Sequence, residues 1–205
     1  MLKKIVFATN NAHKVREINE ILRTLTPNSR GGVHIDGFEI VPMIMVGHTT
    51  DLPETHETIL ENAIEKAVYL FEHYKVDCFS EDTGLEIDAL AGKPGVHTAH
   101  YSGSRDPQSN IDLVLKQMGD AAIRTARFRT VICLIFNGEK YFFEGVCEGK
   151  IAQKPSGTEG FGYDPIFHPN GYDSTFAEMD GTIKSQISHR ALATQKLIEF
   201  LKAID

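Results

Sequence analysis

Apolar residues change period several times along the chain, and each change marks an element. Ile5 to Ala8 is an unbroken apolar run of strand length, and Val15, Ile18, Ile21, Leu22 and Leu25 then recur at helical spacing. A strand, a loop and a helix therefore open the chain. Thr26 to Gly32 is rich in Pro, Asn, Ser and Gly, turn chemistry that ends the helix. Phe38 to Val46 reads as a second apolar strand, in which Pro42 points to an edge or a bulge.

Leu60, Ala63, Ile64, Ala67, Phe71 and Tyr74 mark one face of a long helix. Val76 to Ser80 reads as the next strand, ending in the turn Glu81-Asp82-Thr83-Gly84, and Leu85, Ile87 and Ala89 alternate as a separate half-buried strand. Ile111, Val114, Leu115 and Met118 predict a short amphipathic helix. Asn137-Gly138 sits between Val131–Phe136 and Tyr141–Phe143, a hairpin signature within a β-rich stretch from Thr125 to Cys147. Gly157 to Gly162 is a glycine-rich segment, and a helix carrying Ala191, Leu197, Ile198 and Leu201 closes the chain. Strands alternating with helices around one long antiparallel hairpin predict an α/β fold with a long mixed sheet.

The 205 residues suffice to bury a core, and 41% hydrophobic with 24% charged residues exclude a disordered or collagen-like chain. No apolar run approaches the ~20 residues of a membrane span. The basic-to-apolar start, Met1 to Ala8, is too short for a signal peptide, so the cytoplasm is the expected compartment. Cys78, Cys133 and Cys147 are dispersed and predict buried thiols rather than disulfides or a zinc site. The net charge of −7 opposes binding to a nucleic acid, though local cations and a divalent metal could still hold a small anion.

Four segments carry candidate chemistry. Thr9-Asn10-Asn11-Ala12-His13-Lys14 lies between the first strand and helix, where backbone N–H groups, Lys14 and the Asn11 amide suit an anion. Taken alone it reads rather as an Asn cap with a solvated lysine. Glu81 and Asp82 are adjacent, so on an extended chain they point to opposite sides and at most one meets a given ligand group. Such hard oxygen donors suit Mg²⁺, and Glu54 adds either a further ligand or a helix-start charge. Gly160 to Pro165 offers close backbone approach, with Phe161 and Tyr163 as stacking faces or as buried rings. Lys184, His189 and Arg190 enter the last helix as phosphate or carbonyl contacts, or as solvated cations. His97 and His100 have metal spacing, but Pro94-Gly95 and Gly103 put them in a loop without a third ligand.

In this order the segments resemble the inosine triphosphate pyrophosphatase family. The resemblance also takes in Leu90 to Val96, Thr175 to Met179 and Ser188-His189-Arg190, and runs nearly end to end. It implies one pyrophosphatase domain over residues 1–205, a two-lobed homodimeric fold with a nucleotide cleft, and hydrolysis of ITP, dITP and XTP with Mg²⁺. It implies that Asp82 is the catalytic carboxylate and a metal ligand, with Glu54 as a second acid. By the same resemblance Thr9, Asn10, Asn11, Ala12, His13, Lys14 and Thr83 contact the nucleotide. Phe161, Gly162, Tyr163, Asp164, Lys184, His189 and Arg190 contact base and phosphate. Pro27 to Phe38 is longer than the family's usual turn, and His97 to Tyr101 departs from its Tyr-Ser-Ala-Arg-Tyr. A Maf-like pyrophosphatase and a nucleotide-binding regulatory module are the rivals. Asp82 beside Glu81 speaks against the module, since a pure binder needs no water-activating carboxylate.

Overall fold

The computed structural model describes residues 2–26, 34–35 and 37–204. Most of the turn expected at Thr26–Gly32, and with it much of the longer Pro27–Phe38 segment, lies outside them. The strands are β1 (Lys3–Phe7), β2 (His34–Ile35), β3 (Phe38–Pro42), β4 (Cys78–Ile87), β5 (Pro94–Gly95), β6 (Thr125–Phe136), β7 (Glu139–Ile151) and β8 (Phe167–Pro169). The helices are α1 (Ala12–Leu25), α2 (Ile59–Tyr74), α3 (Pro107–Met118), α4 (Gly181–Ile187) and α5 (His189–Ala203). One mixed sheet runs in the order β2-β3-β1-β4-β6-β7-β8, with β5 paired on β4. Its β1 contacts are parallel to β3 and β4, and the remaining pairs are antiparallel. The expected α/β class and mixed sheet are borne out.

Three expected boundaries move. The strand expected to stop at Ser80 is ten residues long, running from Cys78 through Glu81 and Asp82 to Ile87. Its alternation is unbroken, and Gly84, which would begin a turn, pairs with Arg129 of β6 and lies against the Gly95 carbonyl. The acids thus stand inside the sheet. The second strand ends at Pro42 and gives way to a 3₁₀ turn, Met43–Val46. The last helix is two helices, because Ser188 is extended (φ −68°, ψ 154°) and caps α5 by accepting from the Ala191 N–H at 3.1 Å.

The period of two along β4 divides the core. Phe79 faces α1 and α5 among Ile5, Phe7, Ile18, Leu22, Leu197 and Leu201. Cys78 faces α2 among Ala63, Ala67 and Leu70. A third cluster joins α3 to the far ends of β4 and β6 and to Tyr163, Phe167 and Phe176.

Candidate active site

β4 carries its alternation into polar residues. Cys78 and Ser80 donate to the Ala67 and Ala63 carbonyls of α2, and Asp82, next on that face, meets Lys66 at 2.9 Å. Lys66 is one turn along the same α2 stripe and also contacts Glu54, so one buried ammonium joins two carboxylates. Glu81 takes the opposite face, with the Arg190 Nε at 2.8 Å and the Lys14 Nζ at 3.3 Å. The expectation that neighbouring carboxylates point apart therefore holds, and it gives them different electrostatics.

Burial alone would raise the Glu81 carboxyl, but Arg190 and Lys14 overcome it and hold it at about 2. At Asp82 burial outweighs Lys66 and Lys14, and its carboxyl is raised above the usual aspartate value of 3.8. Burial also opposes charge on Lys66, yet Asp82 and Glu54 more than offset it and the ammonium is held.

α1 brings the first loop alongside. The Asn11 Oδ1 accepts from the His13 and Lys14 backbone N–H groups at 3.0 and 3.2 Å, so Asn11 acts as the helix cap and those two amides are engaged. The Thr9 Oγ1 accepts from the Asn11 N–H at 3.2 Å. Asn10 donates to the Thr49 and Thr50 carbonyls, tying this loop to the segment that leads to Glu54. Ala12 opens α1.

Glu17, one turn into α1, joins the remaining cations: it meets the Lys184 Nζ at 2.5 Å and also contacts Arg190. Lys184 in turn meets Asp164 at 2.6 Å, and Asp164 accepts from the Phe161 N–H at 2.7 Å. A cavity of about 350 Å³ lies above this network, lined by His13, Glu17, Phe161, Lys184 and Ser188 among others. Phe161 faces it, with the Lys184 Nζ and Arg190 Cζ 5.6 and 5.7 Å from the ring centroid.

Several side chains sit differently from the sequence reading. Tyr163 is buried in the α3-side core, so its ring is packing rather than a stacking face. Gly162 supplies the left-handed turn (φ +62°) between the two rings. Arg190 is buried and fully engaged by Glu81, Glu17 and Thr83, the last at 3.3 Å. His189 is buried on Phe128, ring centroids 4.6 Å apart. Burial, with Arg190, Lys184 and Lys14 nearby, pushes its imidazole well below the ordinary 6.5, so it is neutral and cannot serve as a cationic donor. Among the described residues no cluster of three or more His, Cys, Asp or Glu side chains could form a metal cage; His97 precedes a 3₁₀ turn, Thr98–His100, that His100 ends.

The Ham1 family matches residues 5–200. The chain belongs to the Ham1 family. The resemblance stated from the motifs is thereby borne out. The chain is 47% identical over 199 residues to the dITP/XTP pyrophosphatase of Christiangramia forsetii, covering 97% of this chain and 98% of that one. It is 45% identical over 202 residues to the dITP/XTP pyrophosphatase of Porphyromonas gingivalis, covering 98% of each. The solved Ham1 protein of Coxiella burnetii superimposes with a TM-score of 0.85 at 34% identity, over 99% of this chain and all of that one.

Two residues of this Ham1 site escape sequence reasoning, Lys66 and Glu17. Each is a charge on an apolar stripe: Lys66 stands between Ala63 and Leu70, and Glu17 beside Ile18 and Ile21. A long charged side chain in such a row is rarely buried unless paired, which was the available signal.

Neutral His189 has a consequence for stability. Its folded value is depressed, so the unfolded chain takes the proton first, and stability falls as pH drops below about 6.5. Glu81 and Glu17 are depressed as well, and their contribution is full above 4.5 and lost below it. Thermal unfolding against pH should therefore decline in two stages. His189→Gln should flatten the upper stage and spare the lower; an unchanged upper slope would remove His189 as its cause.

Proposed function

We propose that this chain hydrolyses non-standard purine nucleoside triphosphates, ITP, dITP and XTP among them, to nucleoside monophosphate and pyrophosphate. Two relatives carry the name dITP/XTP pyrophosphatase. The observation that supports the reading in this chain is the Glu54–Lys66–Asp82 cluster, whose two carboxylates also feel the Lys14 ammonium. A general base for water must be ionised and still willing to take a proton. Of the two neighbours, Glu81 is held down by cations and is a poor acceptor, whereas Asp82 is raised and is the better one.

The donor set suits Mg²⁺. Asp82 and Glu54 already converge on one cation, the Lys66 ammonium. Magnesium bound with phosphates commonly takes one or two carboxylates and completes its octahedron with water and substrate oxygens. Asp82 and Glu54 would hold it, and when bound it would neutralise charge on the triphosphate. Asp82 accepts the proton of the water that attacks the α-phosphorus. The bond to the α–β bridging oxygen breaks, and pyrophosphate leaves with that electron pair. Lys14 and Lys66 offset the negative charge that develops on the phosphates. Phe161 stacks on the base.

A panel of nucleoside triphosphates with Mg²⁺, scored for pyrophosphate against orthophosphate, tests the activity: release of orthophosphate, or no turnover of ITP, would overturn it. We further propose one catalytic domain, a homodimer and a cytoplasmic setting without nucleic-acid partners. No helix among the described residues is long and apolar enough to cross a membrane. Light scattering of the purified protein checks the dimer, and a monomer mass would remove it.

A further inference from the structure

The ring of His13 lies flat against Phe161, with centroids 5.1 Å apart and planes 18° from parallel. Stacked carbon atoms need about 3.5 Å of separation, so a base between two rings requires roughly 7 Å. No base fits between His13 and Phe161 as they stand. We propose that His13 is a plug: in the empty site it covers the stacking face of Phe161, and a purine base displaces it on binding.

Three groups stand over the Phe161 ring, and they differ in freedom. Lys184 is fixed between Glu17 and Asp164, and Arg190 between Glu17 and Glu81. Both are buried, and moving either would leave a buried carboxylate unpaired. His13 is exposed, and among the described residues no hydrogen bond or ion pair of its imidazole holds it. Only its backbone is tied, by the Asn11 cap, so the ring leaves by side-chain rotation while α1 stays in place. The segment Thr9 to Lys14 thus divides its work: Lys14 faces the phosphates and His13 faces the base. His13 is a positioning residue, which acts on the substrate through the Phe161 face.

The inference rests on the nucleotide reading above, and its test separates the two. Affinities of a non-hydrolysable inosine triphosphate analogue, the matching adenosine analogue and tripolyphosphate are measured for the unaltered protein, His13→Ala and His13→Phe. An aromatic pair shifts an equilibrium by about two- to tenfold. His13→Ala should bind the nucleotides tighter by that factor, and the change should fall in KM. His13→Phe, with a stronger stack, should bind them more weakly. Tripolyphosphate, which has no base, should bind all three proteins equally. Unchanged or weaker nucleotide binding by His13→Ala would overturn the plug. So would an equal change for tripolyphosphate, which would make His13 a phosphate contact. A ring stack does not distinguish purines, so the adenosine analogue decides the plug even if ITP proves not to be a substrate, an outcome that would instead overturn the proposed activity.

Discussion

Asp82→Asn is expected to lower turnover of ITP by at least ~10², the usual scale for losing a positioned acid–base group. The amide keeps the shape of the side chain and can still touch Lys66, but it can neither take a proton nor neutralise a cation. The substitution leaves Lys66 with Glu54 as its partner, so the fold should survive. A titration of the metal-free protein separates Asp82 from Glu81. With no metal bound the Asp82 carboxyl is raised, so it should protonate at a higher pH than an ordinary aspartate, above 3.8. Glu81 is held at about 2 and should protonate far lower. Near-normal turnover by the Asn variant at saturating Mg²⁺ would take Asp82 out of the role of base.

The alternation that placed the two acids was visible along the chain; the length of the strand was not. Glu81-Asp82-Thr83-Gly84 has the composition of a turn because its charges are neutralised by residues remote in sequence: Arg190 from α5, Lys14 from α1 and Lys66 from α2. Local propensity favours ending a strand at such a run, and tertiary ion pairs override it. Periodicity recovered α1, α2, α3 and the β6–β7 hairpin for the opposite reason, since their apolar stripes or their Asn-Gly turn are local signals. Motif order identified Phe161, Asp164, Lys184, His189 and Arg190 as neighbours of a site, but not which of them face the ligand. Tyr163 and Phe161 are two residues apart on a turn, and only the glycine torsions and Asp164 decide that one ring lines the cavity and the other enters the core. Arg190 and His189 look like free donors in sequence. Arg190 is an engaged cation because Glu17 and Glu81 pair with it, and His189 is a neutral imidazole because it is buried against Phe128 with Arg190, Lys184 and Lys14 nearby.

That rearrangement moves the expected source of base selection to Lys184. Phe161 stacks on any purine and cannot reject ATP. Rejection must come from the edge of the base, where hypoxanthine and xanthine carry a carbonyl at position 6 and adenine an amino group. An ammonium has three donors and no acceptor. Two donors of Lys184 meet Glu17 and Asp164 at 2.5 and 2.6 Å, which leaves one for the cavity that Lys184 lines. A carbonyl satisfies it, whereas an amino group sets donor against donor. Guanine keeps the carbonyl, so its exclusion rests on the 2-amino group: a donor at that edge suits the 2-oxo of xanthine, tolerates hypoxanthine and opposes guanine. A site built on such hydrogen bonds discriminates by ~10⁴ in kcat/KM, so ITP and XTP should exceed ATP and GTP by about that factor. Lys184→Met keeps the length of the side chain and removes its donors; ITP efficiency should fall steeply, ATP should change little, and the ITP-to-ATP ratio should collapse. Because the variant leaves Glu17 and Asp164 without one partner, its thermal unfolding is measured beside the kinetics, and only a folded variant counts. Comparable efficiency for ITP and ATP in the unaltered protein would end the case for selection at the base edge. A folded Met variant that kept the full ratio would transfer the selection from Lys184 to another donor around the cavity.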